Sequence, residues 1–174
     1  MKYKITSTVF ITLFIFINTA VAASNLSFHG INLGVDEETL TENYPEFACN
    51  TDSKNPELRR CHAKFDPTSQ SGVFEKLRGS KLNITLTFVN DKLVNINIPF
   101  YRALFKPTAQ FFTDHYGRPK LAHEKVVGKQ GKSLNNSILI WKRGKESIVY
   151  WEIDKNRYAN GNYEYSRILF LLKE

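Results

Sequence analysis

Two neighbouring segments, LNITLTFV and VNINIPF, constrain the fold of this chain more than any other feature. In residues 82–89 the apolar side chains alternate with asparagine and threonine, and the alternation returns in residues 94–100. A period of two is typical of a β-strand with one buried face. The residues Val-Asn-Asp-Lys at 89–92 supply turn formers between the two segments. The sequence therefore predicts an antiparallel β-hairpin here.

Further strands are predicted towards the end of the chain. Two apolar runs flank Arg143-Gly144 within SILIWKRGKESIVYWEI, which favours a second hairpin. Asn160-Gly161 is a strong turn pair, and a last strand follows it within RILFLL. Residues 50–80 are polar and rich in turn formers, so we expect a loop followed by an irregular segment there. The stretch with Gly128 and Gly131 is also polar.

Two short helices are predicted on the basis of their end signals. Asp36 is a candidate N-cap followed by two glutamates, which the helix dipole favours, and Pro45 ends this helix. The second helix has Pro107 at its first position and Gly117 just after its end.

The two helices are similar in sequence where they end. LTENY at 40–44 resembles FTDHY at 112–116, and each helix is followed downstream by a hairpin. A five-residue match arises easily by chance, so duplication and coincidence both remain open. Either way, we expect an α+β fold in which short helices pack on one face of an antiparallel sheet, in two loosely repeated helix-plus-hairpin units.

The N-terminus has the pattern of a secretory signal peptide. Lys2 and Lys4 precede an apolar run, and Ala20-Val21-Ala22 provides the small residues that signal peptidase requires. The alternative is an uncleaved anchor, but the apolar run is short for a membrane span. We therefore expect residues 1–22 to be a signal peptide and residues 23–174 to be one exported domain, periplasmic or secreted, without a transmembrane segment.

Cys49 and Cys61 are the two cysteines of the chain. In an oxidising compartment an even number of cysteines predicts a disulfide, here a single one. A metal site would need more ligands nearby than His62 alone, and a free thiol would be open to oxidation, so we expect neither a metal nor a cofactor.

The basic charge of the chain bears on its partners. The net charge is +7, and removing the two leader lysines leaves +5 on the mature domain. A basic excess suits acidic protein faces, anionic lipids or wall polymers, or it serves only solubility. Export argues against nucleic acid as the partner.

Three features together resemble a known architecture. They are the opening Leu33-Gly34-Val35-Asp36, the cystine loop of separation 12, and the hairpin from Phe88 to Leu93. Over residues 28–98 this arrangement is similar to the β-lactamase-inhibitor-protein-like architecture and to small outer-membrane-assembly lipoproteins. The resemblance implies an exported, non-enzymatic module that binds another protein through a concave sheet. It does not imply inhibition of a β-lactamase.

Aromatic and basic residues near the end of the chain are candidate contact residues. Tryptophan, tyrosine and arginine are enriched at binding hot spots, although the same aromatic residues also serve as core. The candidates are Trp141, Arg143, Tyr150, Trp151, Tyr158 and Tyr163. Because neighbouring residues of a strand face opposite sides, we expect Tyr150 and Trp151 to differ in exposure.

No local motif for catalysis is present in the sequence. It contains no Gly-rich phosphate loop, H-E-x-x-H, C-x-x-C or G-x-S-x-G pattern. We therefore expect a non-enzymatic protein that binds another envelope or extracellular protein, acidic in character, as an inhibitor, an immunity-type factor or an envelope accessory factor. The alternatives are a binder of anionic envelope lipid or polymer, and a hydrolase whose site residues are distant in sequence.

Overall fold

The computed structural model describes residues 26–65 and 81–173. The predicted signal peptide lies outside the described residues, as do residues 66–80 of the segment predicted to be irregular. The strands are β1 Ser27–Phe28, β2 Ile31–Asn32, β3 Ala48–Thr51, β4 Leu58–Phe65, β5 Leu82–Val89, β6 Lys92–Tyr101, β7 Lys120–Val127, β8 Ser133–Arg143, β9 Glu146–Trp151 and β10 Tyr165–Leu172. The helices are α1 Glu37–Asn43, α2 Phe105–Tyr116 and α3 Lys155–Ala159, with a 3-10 turn at Arg102–Leu104.

Eight strands form one antiparallel sheet in the order β3-β4-β5-β6-β10-β9-β8-β7. In chain order, α1 precedes the first four of these strands and α2 precedes the last four. The second half of the sheet runs in the reverse order of the first, so the fourth strands of the two halves, β6 and β10, pair at the centre. The predicted α+β class is confirmed, and both halves have the same helix-plus-four-strand topology.

The first predicted helix forms as its end signals indicate. The Asp36 carboxylate accepts a hydrogen bond of 2.8 Å from the backbone N–H of Thr39, which is the interaction expected of an N-cap. Leu40 is the buried residue of this helix and anchors it on the sheet.

The second helix, α2, is longer and lies over the second half of the sheet. It starts at Phe105, two residues before Pro107, and ends where Gly117 adopts φ +83°, a conformation that glycine tolerates well. Phe112 is buried, with ring centroids 5.6 Å from Trp141 and 6.1 Å from Phe170. The face of the sheet under α1 and α2 is called the helix face below.

The helix face carries the main hydrophobic core. Its residues recur at every second position of the central strands and are less than a tenth exposed. They include Leu82, Ile84, Leu86, Phe88, Ile96, Ile98, Phe100, Ile148, Tyr150, Ile168 and Phe170. The predicted hairpin is β5–β6, and its turn residues Asn90 and Asp91 have φ +49° and +64°, as a tight hairpin turn requires.

Several elements were not predicted from the sequence, among them the short strands β1, β2 and β3. Residues 58–65 form strand β4, although this segment was expected to be irregular, and residues 120–127 form strand β7, for which no element was predicted. Both are polar strands at or next to a sheet edge, where few apolar residues mark a buried side. The short helix α3 was also not predicted. It packs against β7 on the side away from α1 and α2, with Tyr158 against Val126.

Candidate functional site

The face of the sheet opposite α1 and α2 is called the open face. Strand register identifies its residues, because directly paired residues in antiparallel strands share a face. One row of paired residues crosses all eight strands. From β7 to β3, it runs through Lys120, Ile140, Val149, Leu169, Asn97, Thr85, His62 and Ala48. Along this row the open face changes from apolar to polar between Leu169 and Asn97.

The apolar part of the open face spans the three neighbouring strands β8, β9 and β10. All six of its side chains are partly exposed, and five of them pair directly with another member on a neighbouring strand. The sixth, Leu171, lies two residues after Leu169 on the same face of β10. This apolar strip consists of Ile138, Ile140, Val149, Trp151, Leu169 and Leu171. Of the three α-helices within residues 26–65 and 81–173, only α3 lies on this side, and it packs at the β7 end.

The other half of the open face is polar. Asparagine and threonine hold the open-face positions 83, 85 and 87 of β5 and 95 and 97 of β6, as the alternating sequence predicts, and Pro99 and Tyr101 follow on β6. Beyond them, β4 presents Arg60, His62 and Lys64, all exposed. The His62 ring lies 3.1 Å from the hydroxyl of Thr85 across the strand pair, and Arg60 donates a 2.9 Å hydrogen bond to Asp52.

Trp151 has an arginine neighbour at the border of the strip. Arg167 is its register partner on β10, and its Nε donates a 2.9 Å hydrogen bond to Asn97 on β6. Trp151 and Arg167 help to line a shallow recess of about 250 Å³, together with Glu124 and residues 154–156 at the start of α3. The recess is a depression in the open face beside the tryptophan.

Aromatic residues close one end of the open face. Tyr101 and Tyr165 are paired across β6 and β10, with rings stacked at 5.7 Å. The guanidinium carbon of Arg157 lies 4.1 Å from the centroid of the Tyr165 ring, which is cation–π geometry. These contacts hold α3 and β10 together beside the recess.

The buried Asn136 fixes the loop that leads into α3. Its side-chain amide donates to the carbonyl of Ile153 at 2.9 Å and to Glu124 at 3.0 Å, and its side-chain oxygen accepts from the N–H of Ile153 at 2.8 Å. Asp154 then caps α3 by accepting from the N–H groups of Asn156 and Arg157. The recess wall is therefore built from satisfied hydrogen bonds.

A larger open groove of about 870 Å³ lies at the end of the sheet where α2 begins. It is lined by aromatic and charged residues, among them Phe105, Lys106 and Tyr163. Arg102 and Glu152 in its wall form an ion pair at 3.1 Å, so part of its charge is already neutralised within the chain.

The predicted contact residues separate into buried and exposed groups. Trp141, Tyr150 and Tyr158 are at most 3% exposed, so they belong to the core and we do not retain them as contact residues. The Nε1 of Trp141 donates to the carbonyl of Gly117, and burial raises the pKa of Tyr150 well above the usual value. Their apolar surface stabilises the fold, since a buried aromatic side chain fills a large volume.

The other three predicted contact residues lie in different places. Trp151 is on the open face, as strand alternation predicts from the burial of Tyr150. Arg143 lies on the helix face, with its guanidinium carbon 5.4 Å from the centroid of the Tyr116 ring. Tyr163 is 43% exposed and lines the larger groove. The structure does not bring these three together.

Sequence reasoning missed the aliphatic members of the apolar strip, although a signal for them exists. A strand with one polar face alternates, as β5 does, whereas SILIW in β8 and ILFLL in β10 are apolar at successive positions. Continuous apolar runs indicate a strand with two apolar faces. Such strands must either be covered on both sides or leave an apolar surface exposed.

The predicted disulfide is present at the β3 edge of the sheet. Cys49 and Cys61 are register partners on β3 and β4, with Cα atoms 3.9 Å apart. The carboxylate of Glu37 and the two sulfurs lie within 4.8 Å of one another. The sulfurs are bonded to each other and Glu37 forms an ion pair with Arg59, so this group serves to hold α1 to the sheet edge.

Comparison with models of known protein families, with curated proteins and with solved structures gave no match. Within residues 26–65 and 81–173, the helices are too short or too polar to cross a membrane.

Proposed function

We propose that this chain is an exported, non-enzymatic protein that binds another protein through the open face of its sheet. The observation that carries the proposal is the apolar strip, six partly exposed side chains contiguous over three strands. Contiguous exposed apolar surface rimmed by polar groups is typical of interaction sites.

The dimensions of the open face suit a macromolecule. Eight strands spaced by about 4.8 Å give a face roughly 34 Å wide. The apolar strip covers three of the four strands in one half of it, β8, β9 and β10. A protein interface of standard size covers about 800 Å² on each partner. On the open face a small ligand would instead need an enclosed pocket, and the recess beside Trp151 holds only about 250 Å³. The larger groove of about 870 Å³ is open and lies at the end of the sheet.

The composition of the face also favours protein contact. Trp151 and Arg167 are register partners, and tryptophan and arginine are the residues most enriched among binding hot spots. They stand on β9 and β10, strands paired on both sides, so little conformational entropy is lost when a partner packs on them. The polar positions of β5 and β6 form a rim beside the strip.

Export is supported by the leader pattern in the sequence and by the disulfide. Cys49 and Cys61 are paired, and such bonds persist mainly in oxidising compartments. Mass spectrometry of protein isolated from its source cells tests this part. We expect a chain that has lost residues 1–22 and is two hydrogens lighter than the dithiol; an intact leader with two free thiols would contradict it.

Site-specific photo-crosslinking tests the binding face. A photoreactive residue placed at Val149, in the apolar strip, should give one discrete protein adduct in source cells. The same residue at Glu38, exposed on α1, serves as the control and should not give that adduct. Adducts of equal yield from both positions, or with lipid alone from Val149, would contradict the proposal.

A substitution in the strip makes the crosslinking result specific. Leu169→Asn copies the residue type found at its register partner Asn97, so the strand can accept it. It should greatly reduce the adduct from Val149 while leaving the melting transition cooperative. An adduct unchanged by Leu169→Asn would show that the strip does not form the interface.

A further inference from the structure

We infer that the partner presents an acidic surface, with carboxylates on both sides of an apolar centre. This inference rests on the proposed function and adds the chemistry of the partner. It comes from the positions of the charged residues on the open face, which surround the apolar strip on two sides.

The charges at open-face positions of β4, β7, β8 and β10 are mostly positive. These positions hold five cations and one carboxylate, Glu124, which already accepts a hydrogen bond from Asn136. One of the five, Arg60, forms a 2.9 Å ion pair with Asp52, just after β3, so its charge is partly neutralised within the chain. The cations are Arg60, Lys64, Lys120, Lys142 and Arg167. The three glutamates of α1 lie on the opposite side of the sheet. The open face therefore carries a net positive charge, although the chain as a whole contains many acidic residues.

The strand register places these cations on two flanks of the strip. Lys120 and Lys142 lie on the β7–β8 side, and Arg60 and Lys64 lie on β4 beyond the polar strands. The row through Lys142, Ser147, Leu171, Asn95, Thr87 and Arg60 separates its two cations by five strand spacings, roughly 24 Å. A single small anion cannot reach both flanks, whereas a folded protein surface or an extended acidic peptide can.

Charge complementarity then selects the partner. An acidic partner would be attracted at long range and would leave no like charges facing one another in the complex, whereas a basic partner would be repelled. The apolar strip between the flanks requires an apolar patch at the centre of the same partner surface. An anionic lipid surface shares the negative charge, but it presents no apolar ridge of fixed width above its head groups. We therefore infer that the partner is a protein and not a membrane.

The test uses random 16-residue peptides displayed on phage and selected on the oxidised mature protein. Enriched peptides should be acidic and should also contain apolar residues. Their affinity is then measured by fluorescence anisotropy against defined variants. Lys64→Gln with Lys120→Gln removes one cation from each flank; both side chains are exposed.

A matched control removes two lysines from the other side of the sheet. Lys106→Gln with Lys125→Gln makes the same change of charge, on α2 and at a helix-face position of β7. We expect the flank variant to bind the selected peptides about fivefold more weakly at low salt, and the control about as well as wild type. The difference should shrink to less than about twofold at 0.5 M NaCl, because salt screens exposed charges.

The outcomes separate this inference from the proposed function. If Leu169→Asn lowers the affinity for the peptides but the flank variant does not, the inference of an acidic partner is wrong and the proposed binding face still stands. If Leu169→Asn leaves the affinity unchanged, or if the selection enriches no peptide, both the acidic partner and the proposed binding face are wrong. Phosphatidylglycerol vesicles that bind through the same lysines and exclude the peptides would overturn the inference in favour of a membrane.

Discussion

Asn97 and Leu169 are register partners on the two central strands, and the open face changes from polar to apolar between them. The same pair lies on the line where the two halves of the sheet meet, because β6 closes the first half and β10 closes the second. The two halves therefore share a topology but present different chemistry. In our proposal, the second half anchors the partner and the charged flanks orient it.

The environments of the two tryptophans provide a direct optical check of the open face. Trp141 is 3% exposed under α2, and Trp151 is partly exposed in the apolar strip. We expect Trp151→Phe to leave a blue-shifted emission that acrylamide quenches poorly. Trp141→Phe should leave the more quenchable, red-shifted emission of Trp151. Equal quenching of the two variants, with both folded by circular dichroism, would contradict this assignment of faces.

Asn136 should be among the polar residues that matter most for stability. Asn136→Ala leaves the N–H and the carbonyl of Ile153 without their partner in a buried site, so we expect a loss of about 3 kcal/mol in the free energy of unfolding. Asn135→Ala is the matched control, since Asn135 is exposed on the same strand, and should change stability by less than about 0.5 kcal/mol. Urea denaturation measures both values.

The disulfide should stabilise the edge of the sheet. Replacing both Cys49 and Cys61 by serine removes a cross-link over 12 residues, for which the chain-entropy model gives about 3 kcal/mol. We expect a lower urea midpoint, and a similar decrease for wild type in reducing agent. If reduction left the wild-type midpoint unchanged, the cross-link would have no thermodynamic role.

The cap of α1 predicts a specific dependence on acid. The N–H of Thr39 donates to Asp36 and lowers the pKa of its carboxyl below the usual 3.8. A carboxyl with a lowered pKa in the folded state stabilises the protein above its unfolded pKa, and this contribution is lost as the pH falls through the folded value.

Asp36→Asn isolates that contribution, because the amide oxygen still caps the helix but does not titrate in this range. The variant should lose less stability than wild type between pH 5 and pH 2, as followed by thermal melting in a series of buffers. The lowered pKa of Asp52, which the N–H of Lys54 and the charge of Arg60 produce, remains in both proteins as an internal reference. Parallel pH profiles for the two proteins would rule out the cap as a titrating contributor.

The parts of the fold that follow from the sequence are those with strong local signals. The β5–β6 hairpin follows from strict alternation, and α1 follows from Asp36 and its two glutamates. Strands β4 and β7 carry no comparable signal, because they are polar and gain their order by pairing with strands distant in sequence or across a turn. Pairing of this kind is a tertiary effect that local propensity does not record.

The candidate site was predicted only in part, for a related reason. Strand alternation separates Tyr150 from Trp151, but it does not say that Trp141 faces α2 while Ile140 faces the open side. That assignment depends on which face the helices cover, and therefore on the whole topology. The runs SILIW and ILFLL do indicate two apolar faces, and this signal should be given more weight in similar sequences.

The central position of β10 has a consequence for how the chain reaches its native state. β10 is the last of these strands in chain order, yet it pairs with both β6 and β9 in the middle of the sheet. Until it arrives, β6 and β9 are exposed edges whose free amide and carbonyl groups can pair with other molecules. A chain that emerges N-terminal end first therefore exposes the β6 edge while residues 102–164 are made, and the β9 edge from residue 151 until β10 follows. The yield of folded protein in the cell should therefore depend on chaperones that shield these strand edges until β10 pairs with them.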